Sequence, residues 1–343
     1  MEHADIIIVG AGSAGATLAG RLSQDPRLRI VLIEAGRDTA PGGVPDDIKD
    51  IFPRAFLNRE YFWPNLAASM TDGDPPRPFP QARVMGGGSS VMGMIALRGL
   101  PSDYDGWEAL GARDWGSRDV APYFRAMTCD LDRPGAERNT DSPNIIHRLP
   151  REKWPLYMRR VESALIERGM KSLPDVNETR EDGFFAVPLS QDDARATSAR
   201  CYLGSQARGR PNLRIMTGTR ALSLRLENGQ VCGVRAQRAG ETISLSGSGL
   251  SFALARCIHR HCSCAAASGR PTSSKRWGLC RSPIAAGSGA IIRIIHCCTS
   301  RSRSSRTHAL RTRIGITPSR PCAFPPISKG ARPATCFSIS SGA

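Results

Sequence analysis

Residues 4–36 limit most strongly what this chain can fold into. Ala4 and Asp5 lead into Ile6, Ile7, Ile8 and Val9, an apolar run that reads as a buried strand. The chain then meets Gly10, Gly12 and Gly15, spaced G-x-G-x-x-G. Ala14, Ala16, Leu18, Ala19 and Leu22 follow as a helix whose small residues let it lie close to a sheet, and Pro26 stops it. Leu28 to Ile33, Arg29 excepted, supplies a second strand that ends at Glu34. Strand, turn, helix and strand make a right-handed unit. Gly10 permits the tight turn, Gly12 lets a pyrophosphate approach the backbone, and Gly15 lets helix and strand pack closely. The start of the helix presents unpaired N–H groups and about half a positive charge to phosphates. Glu34, 19 residues beyond Gly15, is placed to accept the two ribose hydroxyls of an adenosine and to repel a 2′-phosphate.

A dinucleotide is therefore expected, with flavin and unphosphorylated nicotinamide both open. The motif lies at the start of the sequence, as in flavoproteins that build their site around the first strand. A second glycine cluster, RVMGGGSSVMGMIALR at 83–98, offers a flexible approach for another part of the cofactor. Gly86, Gly87 and Gly88 can run against a flat ring or a pyrophosphate, while Ser89 and Ser90 are expected to donate hydrogen bonds or cap the helix that follows. The alternative is a glycine turn feeding a buried helix.

Elsewhere the pattern is coarser. Arg37 to Pro80 is rich in Gly, Pro and Asp, and its aromatics Tyr61, Phe62 and Trp63 suggest ordered loop packed over something. Short helices are expected at Asp103 to Leu110 and Asp119 to Met127, capped near Ser102 and Ser117, and an amphipathic helix at Pro155 to Arg168, ended by Gly169. Leu213 to Met216, Ala221 to Leu226 and Val231 to Ala236 read as strands, the last two a hairpin turning at Asn228-Gly229.

Charge divides the chain. Residues 1–250 carry 32 Lys and Arg against 31 Asp and Glu, whereas 251–343 hold 15 basic residues and no acidic one, which accounts for almost all of the net charge of +16. The same stretch has eight of the eleven cysteines, 16 serines and little periodicity, a composition expected of a frameshifted reading frame or of a disordered basic tail. Cys257, His259, His261, Cys262 and Cys264, with Cys280, His296, Cys297 and Cys298, include zinc-type donors but lack the two separated pairs of a finger or ribbon, so no metal is expected. RSRSSRTHALRTR at 301–313 would attract phosphates but has no aromatics for base stacking, so nucleic acid is not an expected partner. There is no signal-peptide pattern, and no apolar run reaches the roughly 18 residues of a membrane span. A cytoplasmic chain with reduced thiols is expected.

Taken together, DIIIVGAGSAGATLAGRLS at 5–23, IVLIEAG at 30–36, RVMGGGSSVMGMIALRG at 83–99, SDYDGWEALGARDWGSRDVAPYFR at 102–125 and PNLRIMTG at 211–218 resemble the glucose-methanol-choline (GMC) oxidoreductase family over about residues 4–240. The resemblance implies an α/β fold: an FAD/NAD(P)-binding Rossmann-like core with an incomplete α+β substrate domain, and a non-homologous C-terminal stretch that is disordered or frameshifted. Residues 1–250 are expected to form the FAD-binding domain with the interleaved start of the substrate domain, and 251–343 no folded domain. It implies FAD as cofactor, oxidation of a small-molecule alcohol at its CH–OH group, and hydride transfer to flavin N5. The residues matching the family's FAD contacts are Gly10, Ala11, Gly12, Ser13, Ala14, Gly15, Glu34 and Ala35 in the N-terminal unit. Val84, Gly86, Gly87, Met92, Gly93, Met94 and Ile95 match positions beside the pyrophosphate and isoalloxazine, and Ala221 one near the adenine.

Two departures stand out. The family commonly has Asn where this chain has Met92, so a polar contact near the flavin is lost or supplied elsewhere. Just past Leu245 the family continues with a strand, small residues and an Ala-Gly-x-x-x-(Ser/Thr)-Pro segment, whereas this chain reads LSGSGLSFALARCIHRHCSC. The family's late catalytic histidine is accordingly expected to be absent, and neither His3 nor His147 is expected to replace it as the base that takes the hydroxyl proton. The chain is then expected to bind flavin without turning over. The alternative is a non-catalytic flavin-binding protein whose basic tail engages an anionic partner.

Overall fold

A computed structural model describes residues 3–69, 74–133, 139–179, 181–228, 230–253 and 338–341. They fall into two compact units, one of residues 3–64 and 80–253, the other of 65–69, 74–79 and 338–341. The smaller unit is an antiparallel three-stranded sheet in which Leu66–Ser69 lies between Ser338–Ser341 and Arg77–Pro78. The remaining residues of 254–337, with both Cys/His groups and the basic run at 301–313, lie outside the described residues.

The larger unit is built on a six-stranded sheet. Its first strand, β1 (His3–Val9), pairs in parallel with β2 (Ile30–Ile33), which pairs in parallel with Leu213–Met216. On its other side β1 pairs in parallel with Glu241–Phe252, which continues antiparallel into Gln230–Arg238 and Thr219–Glu227. Because side chains alternate along a strand, the unbroken apolar runs of β1 and β2 feed two cores. Ile7, Val9, Val31 and Ile33 join Met216, Val234, Ala236 and Leu250 on one face. Ile8, Ile30 and Leu32 join Ala16, Ala19, Met85, Ala199 and Leu203 on the other. Helix α1 (Ser13–Leu22) supplies Ala16 and Ala19 to that second core, and the small side chains bring its axis close to the sheet.

The expected elements recur with shifted ends: helices at Pro101–Ala109, Ser117–Met127 and Leu156–Glu167, and the hairpin at Thr219–Glu227 and Gln230–Arg238. The caps differ. Ser102 and Ser117 stand inside their helices, and the acceptors are Asp103 and Asp119, which take the backbone N–H of Leu100 at 2.8 Å and of Gly116 at 3.1 Å. Carboxylates in the first turn also complement the helix dipole, which a serine one or two positions earlier does not.

The strand Glu241–Phe252 is not among the expected elements. Its sequence, ETISLSGSGLSF, has the low strand propensity of Ser and Gly, yet Ser251 and Phe252 pair with Ile8 and Val9, and Ala253 N–H donates to Val9 C=O at 2.9 Å. Pairing with β1 overrides propensity here.

Candidate functional site

Both glycine clusters meet over the C-terminal ends of β1 and β2. At Gly10 (φ +94°) the chain turns, and Gly10 N–H donates to Ile33 C=O at 2.8 Å. A Cβ on Gly15 would stand 1.8 Å from Gly10 O, so only glycine lets α1 start this close to β1. Gly12 is the N-cap of α1, no side chain caps that end, and no acidic residue occupies its first turn. The helix therefore keeps its N-terminal donors and positive dipole end for an anion.

The second cluster arrives through Val84, which bridges Arg37 beside the end of β2. Met85 N–H donates to Arg37 C=O at 3.0 Å and Gly86 N–H to Ala11 C=O at 2.8 Å, tying the two loops together. Gly87 has φ +55°, and a Cβ there would lie 2.7 Å from Gly12 Cα. The helix that follows is the single turn Gly88–Val91, so Ser89 and Ser90 lie within it and do not precede it as caps. Their hydroxyls are used internally, Ser89 Oγ on Gly86 C=O at 2.6 Å and Ser90 Oγ on Met85 C=O at 2.7 Å.

These loops border a cavity of about 250 Å³. Of the expected site residues, Gly10, Gly12, Ser13, Ala14, Glu34, Ala35, Val84, Gly87 and Ala221 line it. Ala11, Gly15 and Gly86 support that lining from behind, through the contacts just described. Met92, Gly93, Met94 and Ile95 do not line it. Met92 packs against the loop core of Ile48, Ala55, Tyr61, Val84 and Val91, Met94 takes a left-handed turn at φ +61°, and Ile95 is exposed. Sequence reasoning missed Trp63, Gln81, Thr219 and Arg220 on the cavity wall. Trp63 carried a signal, an aromatic in a loop read as packed over something. Arg83 and Arg220 each stand over its ring, with guanidinium carbons 5.5 and 5.6 Å from the centroid.

Glu34 is buried, and its carboxylate accepts the N–H of Ala11 on Oε2 and of Gly36 on Oε1, each at 2.8 Å. Each oxygen retains a second lone pair for a hydroxyl donor. Burial pushes the Glu34 pKa above the usual glutamate range, opposed by the N–H groups of Gly36 and Ala11 and by the Arg83 charge. A dinucleotide fits this donor set, with an uncapped helix start for a diphosphate, a carboxylate for ribose hydroxyls and an indole beside them.

The described histidines stand elsewhere. His3 Nε2 is 2.9 Å from Ser248 Oγ and His147 Nδ1 is 2.7 Å from Asp132. Among the described residues no group of three His, Cys, Asp or Glu side chains is placed to hold a metal, and no helix is long and apolar enough to cross a membrane.

Comparison with known proteins places the geometry in context. The family model for GMC oxidoreductases matches residues 4–249. The chain is 36% identical to a 5-(hydroxymethyl)furfural oxidase of Methylovorus sp. (strain MP688) over a 252-residue alignment that covers 70% of this chain and 47% of that protein. It is 34% identical over 246 residues to an oxygen-dependent choline dehydrogenase of Sinorhizobium fredii, covering 69% of this chain and 43% of the relative. Among solved structures, pyridoxine 4-oxidase from Mesorbium loti superposes with a TM-score of 0.65 at 30% identity, covering 73% of this chain and 49% of that one. An FAD-dependent oxidoreductase from Chaetomium thermophilum, 24% identical, shares the fold with a TM-score of 0.69 over 77% of this chain and 47% of its own. The chain spans about half the length of the relatives it matches.

Proposed function

Since this chain belongs to the GMC oxidoreductase family, whose model covers residues 4–249, we propose that it binds FAD in the cavity over β1 and β2 and does not turn an alcohol over by itself. FAD is its cofactor. Bound there, FAD would supply a two-electron acceptor able to take hydride from the carbon of a CH–OH group.

The protein's own contribution begins at α1. Its first-turn N–H groups, with Ser13 and Ala14 at the cavity, hold the diphosphate, and Gly12 and Gly87 leave the room it needs. Glu34 accepts the ribose hydroxyls while its bonds to Ala11 and Gly36 fix the carboxylate in place. Ala35 and Ala221 face the adenosine side, and Val84 and Gly86 set the path of the second loop. By the resemblance, Met92, Gly93, Met94 and Ile95, which do not line this cavity, would stand beside the isoalloxazine. The observation that carries this reading is the convergence of an uncapped helix start, a buried carboxylate and two glycine loops on one cavity.

The substrate class is a small-molecule alcohol, by kinship with the oxidase and dehydrogenase relatives. Removing hydride from carbon requires a base for the hydroxyl proton, an effect worth about 10² to 10⁴ in rate. Past Leu245 the chain reads LSGSGLSFALARCIHRHCSC in place of the family's Ala-Gly-x-x-x-(Ser/Thr)-Pro segment, which supports binding without turnover. Residues 1–250 are taken as the FAD-binding domain with the start of a substrate domain. The acid-free, Cys- and Ser-rich composition of 251–343 supports a shifted reading frame there. Two measurements test the reading. Purified protein should retain flavin absorbance through gel filtration yet show no bleaching with alcohols, and a colourless, monodisperse product would refute it. Translating the other two frames of the encoding DNA from about residue 245 should recover an Ala-Gly segment and a late histidine.

A further inference from the structure

Arg195 is 2% exposed, and no carboxylate bonds to it. Its Nη1 donates to Met92 C=O at 2.5 Å and reaches Ser89 C=O at 3.5 Å, while Nε and Nη2 are buried with no hydrogen-bond partner. Burial lowers its pKa from the usual arginine value, and Asp50, which acts on it through space, opposes that shift. Asp50 is itself committed to Phe52 N–H and Arg54. A buried cation held this poorly is costly and needs a reason.

The carbonyls it grips supply one. Those of Ser89 and Met92 belong to the end of the single-turn helix Gly88–Val91, where carbonyls lack intrahelical partners and a cation complements the helix dipole. The flanking chain grips the same loop at further points. Ser198 N–H donates to Ser89 Oγ at 2.9 Å, and Ser198 Oγ to Gly86 C=O at 3.3 Å. Ser190 N–H donates to the carbonyl of left-handed Met94 at 2.8 Å, and Ala96 N–H to Pro188 C=O at 2.9 Å. Residues 188–198 thus form a strap along the whole of 86–96. Arg195 is the one basic residue of that strap, and it holds the point where the loop leaves the helix for the strained turn at Met94.

We propose that Arg195 is a positioning residue for the flavin: by fixing the carbonyls of Ser89 and Met92 it preorganises residues 92–95 in the path that receives the ring. This rests on the FAD reading above. A loop set before binding forfeits less ordering entropy when the ligand arrives, so its contribution should appear in cofactor affinity as well as in stability.

The test titrates the full apo-chain with FAD, following flavin fluorescence quenching and the visible circular dichroism of bound flavin, with apo-protein melts in parallel. Arg195→Met keeps the apolar stem and removes every donor, and FAD should bind at least about tenfold more weakly. Arg195→Lys retains a cation able to reach Met92 C=O and should restore affinity to within about threefold of wild type. A purely structural arginine would lower the apo melting temperature of Arg195→Met and leave the FAD Kd and flavin dichroism unchanged, which overturns the proposal. If Arg195→Met does not fold, Arg195→Gln, with a neutral amide in place of the cation, carries the test, and an unchanged Kd there overturns the proposal equally. Absence of FAD binding by the wild-type chain would instead refute the cofactor reading beneath it.

Discussion

Replacing Gly15 and Gly12 by alanine, one at a time, separates folding from binding within a single motif. In Gly15→Ala the new methyl carbon would sit 1.8 Å from Gly10 O and 3.0 Å from Ala253 Cβ. Real Cβ atoms essentially never come closer than 3.0 Å, so the start of α1 and the β1 turn must part by more than about 1 Å. That displacement unseats Ala16 and Ala19, both fully buried against the sheet. Overpacking against backbone belongs at the upper end of the usual range, about 3 kcal/mol. For a unit of this size that is roughly 6–12 °C of melting temperature. In Gly12→Ala the methyl has Gly87 Cα at 4.0 Å as its nearest neighbour and points at the cavity, so the apo-protein should lose no more than about 1 kcal/mol. The same methyl occupies the diphosphate's approach and should weaken FAD binding by at least about tenfold. Apo melts by far-ultraviolet circular dichroism and FAD titrations read the two effects separately. A Gly15→Ala melt within about 2 °C of wild type, or FAD affinity unchanged in Gly12→Ala, would refute the reasoning.

Other outcomes follow from the site and its surroundings. Glu34 must be ionised to accept two ribose hydroxyls, and burial raises its pKa, so FAD should bind more weakly as pH falls through that raised value, and Glu34→Gln should flatten the profile. With the folded pKa above the unfolded one, the folded apo-protein binds the extra proton, and the Glu34 contribution to stability should decline as pH rises from the ordinary glutamate value through the raised one. Trp63→Ala should weaken FAD binding by about 1–3 kcal/mol if the indole faces the adenosine, and Trp63→Phe should recover much of it. Arg148 is buried among Asp130, Asp132 and Asp175, all within 3.1 Å, so Arg148→Met should lower apo stability by about 3 kcal/mol or more while leaving FAD affinity in the folded fraction unchanged.

What the chain's order of residues determined by itself is local. β1, the turn at Gly10, α1 and β2 follow closely on one another, so the apolar runs, the glycine spacing and the position of Glu34 can be read along a single short segment. The hairpin at Thr219–Glu227 and Gln230–Arg238 was legible for the same reason. Only tertiary structure decided that Gly87 would stand against Gly12, that Trp63 and Arg220 would wall the cavity, that Met92 would turn into a loop core, and that Arg195 would be buried over Met92. It also decided that a Ser- and Gly-rich segment would become the strand beside β1, since the hydrogen-bonded ladder with β1 outweighs the weak preferences of its residues. Each of these depends on residues far apart in the chain meeting in space, and no pattern read in sequence order carries that separation.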